Sequence, residues 1–408
     1  MLLFGGLYFA QGVPWGFLTV AVVLRLTKLG LSPAAIGDLM FVATLPWTGK
    51  PLIGLLVDRV PFGPRGRRRL LILSAEASMA LTLLALAFTN PLEDWWLFLA
   101  LLFLHNLLAA SQDVATDALA IDLLEESERS RANGIMSASK FFGVLVGGQG
   151  LLWVADVAGW PVAYGVAIAL LLVPARLVMG IHEKPLPIQR PRLFGLALRT
   201  FSSRIVLLAS AFALVVHLAE GLTFPLTYPL FCNQLGYSEQ QVAWLATLNG
   251  TVSALGSLLG GALGDRLGCR RMLLYGCLGM GGCYLVFALC KGFWVHGWML
   301  ISFTIVGGLM SGVVYATMLA LFMGLTNPRF GATQFQVYQA LINANLSWSQ
   351  AVGGRLAGRL SAPAMFGLGA LAEVLPLLLL PWLDARKAQE EFTLQAKSAA
   401  QPAGEDRS

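Results

Sequence analysis

Charge is scarce in this sequence. Only 12% of its 408 residues are Asp, Glu, Lys or Arg, against about a quarter in an ordinary soluble domain. Too little polar chain remains to cover a water-facing surface, which excludes soluble enzymes, nucleic-acid binders and disordered chains together. Cysteine is scarce too. There are five, none in a C-x-x-C pair, and four of them (Cys269, Cys277, Cys283, Cys290) share one apolar stretch. That pattern indicates neither a disulfide framework nor a metal site, and the cysteines read as small apolar fillers. No Walker loop or other phosphate cradle occurs, so ATP hydrolysis is not expected and no cofactor is implied.

Apolar residues are abundant instead, at 57% of the chain with a mean hydropathy of +0.70. They fall into twelve runs: roughly 2 to 24, 36 to 57, 70 to 89, 96 to 121, 133 to 153, 161 to 181, 205 to 231, 241 to 264, 272 to 290, 298 to 325, 334 to 354 and 363 to 383. A bilayer core of about 30 Å needs roughly 20 helical residues, and only helices or closed barrels satisfy their backbone there. The expectation is an all-α integral membrane protein of twelve transmembrane helices. The first run starts at Met1 without a basic leader or small-residue cleavage site, so it is expected to be helix 1.

The basic residues explain the sequence pI of about 9.2. Even-numbered loops carry Arg59, Arg65, Arg67, Arg68, Arg69, Arg129, Arg131, Lys184, Arg190, Arg192, Arg199, Arg204, Arg266, Arg270, Arg271 and Arg329, while odd-numbered loops hold Arg25, Lys28, Lys291, Arg355 and Arg359. This bias places both termini and the even loops in the cytoplasm. The longest polar interruption follows the sixth run. It divides the chain into an N-terminal six-helix bundle (1–181), a cytoplasmic linker (182–204), a C-terminal six-helix bundle (205–383) and a tail (384–408) whose mixed polar composition suggests disorder. The motif Gly54-Leu-Leu-Val-Asp58-Arg59, resumed at Gly66-Arg67-Arg68, recurs 207 residues on as Gly261-Ala-Leu-Gly-Asp265-Arg266-Leu-Gly268-Cys-Arg270-Arg271. Leu124 to Gly134 is echoed by Leu325 to Gln334. Internal duplication accounts for both.

Twelve helices, a central loop and that repeated G-x-L-x-D-R-x-G-x-R motif resemble the major facilitator superfamily over the whole chain. Within it, Gln112-Asp113-x-x-x-Asp117-Ala118, Glu128-Arg129-x-x-Ala132-Asn133-Gly134, Lys50, and Thr326-Asn327 with Ala332-Thr333-Gln334-Phe335 resemble the AmpG-type muropeptide permeases and their relatives, the acetyl-CoA transporters and pyochelin-type siderophore permeases. The resemblance implies two pseudo-symmetric six-helix halves and a secondary transporter of the bacterial inner membrane, a permease that alternates access and imports its solute by proton symport. It also implies a cytoplasmic gate of Asp58, Arg59, Arg67, Asp265, Arg266 and Arg270. Pro51-Leu-Ile-Gly54, Ser130 and His217-x-x-Glu220 depart from the usual AmpG pattern. Muropeptide-, siderophore- and acyl-CoA-like solutes therefore all stay open.

Charges inside the membrane point to the working parts. Each costs at least about 2.5 to 3.5 kcal/mol at a helix centre, so each needs a partner, a cavity or a task. At 1.5 Å per residue, Lys50, Asp113 and Lys140 all lie about 12 to 14 Å deep, and one charge cluster is expected. It could serve transport or merely tie three helices together. Asp117 shares a helix face with Asp113, and two carboxylates one turn apart repel when both are ionised, which suits a proton carrier. A solvated gate position is the other reading. In the second half Glu220 is the corresponding candidate, near Gly221, Pro225 and Pro229, as Gly12, Pro14 and Gly16 interrupt helix 1; such paired breaks mark a midplane site. A satisfied pair with His217 is the plainer alternative. Polar stripes in helix 1 (Tyr8, Gln11, Trp15, Thr19) and helix 11 (Gln336, Gln339, Asn343, Ser347, Gln350) outline a substrate cavity, or else glue helices together. Glu373 is expected to be structural. The expected partners are a small solute, protons and lipid but no nucleic acid, and the protein is expected to act as a monomer. A membrane acyltransferase using His105 or His217 as base, or a sensor without flux, are the competing classes; a non-enzymatic carrier is expected.

Overall fold

The computed structural model describes residues 1–59, 67–123, 126–181, 203–326 and 331–400. No strand occurs among them. Ten helices are long and apolar enough to cross a bilayer. They are α1 (Leu2–Lys28), α3 (Arg68–Phe88), α4 (Trp95–Ala120), α5 (Ile135–Ala158), α6 (Trp160–Met179), α7 (Arg204–Gln234), α8 (Glu239–Gly264), α9 (Cys269–Leu289), α10 (Gly297–Gly324) and α12 (Ala362–Trp382). Two further helical stretches match them in length. One, α2, runs Pro33–Thr48 and Lys50–Arg59, turning at Gly49. The other, α11 (Gly331–Ala357), carries the Gln and Asn stripe that lowers its hydropathy.

Pairings among the first six helices recur among the last six. In the first half α1 packs on α5, α2 on α4, and α3 on α4 and α6; in the second α7 packs on α11, α8 on α10, and α9 on α10 and α12. The halves meet along α2–α11 and α5–α8. Glycine permits the closest of these approaches. A Cβ on Gly12 or Gly16 of α1 would lie 2.2 and 2.1 Å from the carbonyl oxygens of Lys140 and Val144, and one on Gly143 or Gly147 of α5 would lie 2.3 and 2.0 Å from those of Phe9 and Val13. Two Gly-x-x-x-Gly faces thus bring backbones together, where dispersion and close packing replace a hydrophobic drive that lipid cannot supply.

Three expectations need correction. Helix 7 is not broken at its prolines: Pro225 and Pro229 lie inside the helix, and the interruption falls at 214–217. Helix 1 likewise runs through Pro14 and loosens into a π-helical stretch over Phe17–Val22. A missing proline N–H is absorbed by local rearrangement when neighbouring helices hold the chain. The tail is not wholly unstructured, because α13 (Ala385–Ala400) is helical. Ala388 and Phe392 are buried in the second-half core. Gln389 donates to the Gly324 and Thr326 carbonyls, each at 3.1 Å, capping the end of α10. Polar composition concealed a helix with one apolar face. The linker 182–202 and residues 401–408 lie outside the described residues.

Candidate functional site

Four helices converge on Asp113. It is 2% exposed on α4, salt-bridged to Lys50 of α2 and 3.9 Å from the Lys140 ammonium of α5. An isolated carboxylate at this depth would be untenable, whereas one flanked by two ammonium groups is compensated. Trp47, one turn before Lys50, supplies a wall. Lys50 Nζ lies 4.8 Å and Lys140 Nζ 5.1 Å from its ring centroid, the geometry of two cation–π contacts on one indole. Trp15 meets Trp47 edge to face at 5.8 Å, and Trp47 Nε1 donates to Asn106 Oδ1 at 3.3 Å.

One turn along α4, Tyr8 of α1 donates its hydroxyl to Asp117, and Lys140 Nζ is 5.7 Å from the Tyr8 ring centroid. Tyr8 thus joins Asp117 to the lysine that also faces Asp113. Behind this layer a second chain crosses three helices: Gln11 Nε2 donates to Gln112 Oε1 at 2.5 Å, and Gln112 Nε2 donates to Glu76 Oε1 at 3.4 Å. Glu76, on α3, has no solvent exposure, and its Oε2 has no hydrogen-bond partner among the described residues. Sequence reasoning overlooked Glu76, Trp47 and Asn106. The signals existed, since Glu76 is the one acid in the run 70 to 89 and Trp47 sits at the i−3 position that shares a helix face with Lys50.

The second half contributes differently. Glu220 opens the second segment of α7, with His217 Nδ1 at 3.1 Å from its Oε2. Its side chain is 48% exposed, where a buried acid was expected. The break preceding it is satisfied by α11. In the amide orientation that serves both partners, fully buried Asn345 accepts from His217 N and donates to Leu214 O, each at 3.2 Å. Asn345 was not among the expected residues. Gln336 is exposed and Gln339 and Asn343 half-buried; their side chains make no hydrogen bond among the described residues, so the α11 stripe does not join the α1 stripe around Asp113. Ser347 does cross between halves, hydrogen-bonding Thr44 of α2 at 2.7 Å. Buried Glu373 leaves Oε2 unpartnered among the described residues. His105, one imagined base, is spent on Thr82 at 2.9 Å within the α3–α4 contact.

At the end bearing the odd-numbered loops, polar contacts join the halves. Asp38 of α2 meets Arg355 of α11 at 2.8 Å, and Lys28 of α1 meets Glu239 of α8 at 2.7 Å. Gln240 accepts from Gln149 of α5 at 2.5 Å and donates to Asp156 at 2.7 Å. Nothing in the sequence marks these bolts, because the repeated motif points to the opposite end. There, the side chains of Asp58, Arg59, Arg67 and Asp265 lie outside the described set, and Arg266 is exposed. Arg270, expected at the gate, is engaged within its own half. It donates to the Leu380 and Pro381 carbonyls (3.1 and 2.9 Å) and pairs with Asp384 at 3.4 Å, as a cation should at the C-terminal end of a helix. Arg69 does the same for the end of α6, donating to the Ile181 carbonyl at 3.1 Å.

Comparison with known proteins agrees with this architecture. The chain is 27% identical over 352 residues to the anhydromuropeptide permease of Escherichia coli K12 (82% of this chain, 69% of that protein). It is 23% identical over 401 residues to the putative transporter AmpG 4 of Rickettsia conorii (92% and 94%). Among solved structures, a point mutant of the nucleoside transporter NupG superposes with a TM-score of 0.73 at 13% identity, covering 94% of this chain and 99% of that one. A D-xylose-proton symporter gives 0.70 at 14% identity (94% and 97%). These relatives are transporters and not enzymes. Residues 4–348 match the family model of the major facilitator superfamily, and this membrane-embedded transporter belongs to that superfamily.

Proposed function

We propose that this protein imports a polar or anionic solute across a bacterial plasma membrane, coupled to proton movement, with both termini in the cytoplasm. The observation that carries the reading is the buried Lys50–Asp113–Lys140 cluster with Tyr8–Asp117 one turn away. Asp113 and Asp117 are the proton-handling pair, held one turn apart where simultaneous ionisation is opposed. A proton or an anionic solute arriving among them alters which lysine Asp113 compensates, and so changes the relative energies of two arrangements of α1, α2, α4 and α5. Glu220, beside the α7 break, is the second-half partner. Tyr8, Gln11, Trp15, Gln336, Gln339 and Asn343 contribute to the solute path. Asp58, Arg59, Arg67, Asp265 and Arg266 form the latch at the even-loop end, opposite the Asp38–Arg355 and Lys28–Glu239 bolts, and Arg270 joins it only in a state that releases Asp384 and the end of α12. Alternating access is the opening of one set as the other closes.

Anhydromuropeptides are the first solutes to test, because a relative matching 82% of this chain is an anhydromuropeptide permease. The experiment is uptake into proteoliposomes under an imposed inward proton gradient, with labelled anhydromuropeptide, ferric siderophore, acetyl-CoA and a folate in parallel. Folate enters the panel because a probable folate-biopterin transporter of Arabidopsis thaliana is 34% identical over 144 residues. Accumulation of one class above equilibrium, abolished by an uncoupler and by Asp113→Asn, is the expected result. Uptake that only equilibrates, or that ignores the uncoupler, overturns the coupling; silence of anhydromuropeptide alone reassigns the solute.

A further inference from the structure

At the even-loop end of the second half, away from the Asp113 cluster, a recess of about 930 Å³ opens between the α8–α9 corner, α10, the end of α12 and the start of α13. Its chemistry is two-sided. The wall is apolar, and includes Leu321 and Leu380, which are 4% and 6% exposed. Four arginines line it as well: Arg266, Arg270, Arg271 and Arg386. One of them is spent, because Arg270 pairs with Asp384, the acid of the lining, and caps α12. Arg266, Arg271 and Arg386 are exposed, and their side chains make no hydrogen bond or ion pair among the described residues. Three positive charges therefore face one recess in whose lining, among the described residues, no acid is left to balance them.

Trp382 and Tyr275, each next in sequence to a lining residue (Pro381 and Leu274), are 55% and 56% exposed, as aromatic side chains are where a helix leaves hydrocarbon for headgroups. Below them α9 and α12 present Leu278, Leu289, Leu371 and Leu378 outward, a surface suited to acyl chains. A basic hollow between helix ends at this level matches a phosphodiester headgroup, which guanidinium groups clasp through forked donors. The α8–α9 corner turns on Gly268 alone, at φ 93°. The α13 helix that closes the far wall is held by Phe392 and Gln389, so the hollow is framed before any ligand arrives.

We infer that this recess is a binding site for one anionic phospholipid of the membrane leaflet at the even-loop end, its headgroup phosphate held by Arg266, Arg271 and Arg386 and its chains lying along α9 and α12.

The test is native mass spectrometry of the full-length, detergent-purified protein titrated with phosphatidylglycerol or with phosphatidylcholine of identical chains. One phosphatidylglycerol should be retained at least tenfold more tightly than phosphatidylcholine. The double variant R271Q/R386Q should weaken that retention about ten- to thirtyfold, from the loss of two basic groups at a headgroup surface. Arg176→Gln, an exposed arginine of the first half, should bind as the parent does. Elution volume and thermal midpoint in phosphatidylcholine nanodiscs verify folding, and the single variants replace the double if it fails there. Equal retention of the two lipids, or unchanged phosphatidylglycerol binding in the folded double variant, overturns the proposal. Displacement of the lipid by millimolar inorganic phosphate also overturns it, because the recess would then be a site for free anions.

Discussion

Asp113 matters first for what it neutralises. Removing it leaves Lys50 and Lys140 facing each other across Trp47, and an uncompensated buried charge costs about 3 to 5 kcal/mol, reduced here because Lys140 is 33% exposed. Asp113→Asn is therefore expected to lower the thermal midpoint in detergent by several degrees, and the double variant Lys50→Met with Asp113→Leu to recover much of the loss. A double variant as unstable as the single one would contradict this electrostatic account. Glu76 poses a smaller version of the question. Glu76→Gln keeps an acceptor for Gln112 and should cost less than about 1 kcal/mol, whereas Glu76→Leu strands a buried amide and should cost about 1 to 3 kcal/mol, read as a larger drop in midpoint. The residue types at this site were visible in the chain, because intramembrane charges are rare enough to stand out. Their partners were less visible: the α-helical rise placed Lys50, Asp113 and Lys140 at one depth, yet rotation about each axis and the choice of Trp47 as common wall depend on how α2 and α5 pack.

At the scale of the helices, breaks and crossings decide behaviour. The α1–α5 crossing tolerates no Cβ at Gly147, where a methyl group would lie 2.0 Å from the Val13 carbonyl oxygen. Gly147→Ala should separate the helices and abolish recovery of folded protein, while Gly165→Ala, on open space in α6, should be neutral; equal yields would disprove the close packing. In α7, proline drew attention in the sequence because it removes a hydrogen bond. The observed break lies earlier, where Asn345 serves Leu214 and His217 from another helix. A remote side chain that replaces a backbone bond leaves no local signal in the segment it rescues. The C-terminal α13 shows the same limit, since its buried face is defined by α10 and the second-half core.

For the molecule as a whole, the two ends of the bundle are unlike. Bolts of opposite charge join the halves at the odd-loop end, and if they hold one of two states, weakening them shifts the population. Arg355→Gln with Lys28→Gln should raise the rate at which a membrane-impermeant maleimide labels Cys232, half-buried near that end of α7; an unchanged rate means that the bolts do not govern opening. The arginine count predicts an orientation that a fusion can test. A C-terminal green fluorescent protein fusion should fluoresce, as it does on the cytoplasmic side, and a dark fusion with a normal yield of inserted protein would invert the topology.

Composition, hydropathy and the repeated Asp-Arg motif by themselves determined that this is a helical membrane protein built twice over, because the bilayer imposes length, apolarity and internal hydrogen bonding on every crossing, and those demands are written in the local sequence. Tertiary structure alone decided that Trp47 serves both lysines, that Glu76 hides behind two glutamines, that Asn345 mends α7, and that three arginines share one hollow. Each of these is a contact between segments tens to hundreds of residues apart. Such contacts are set by which faces pack together, and a long series of apolar helices admits many packings with nearly the same local pattern.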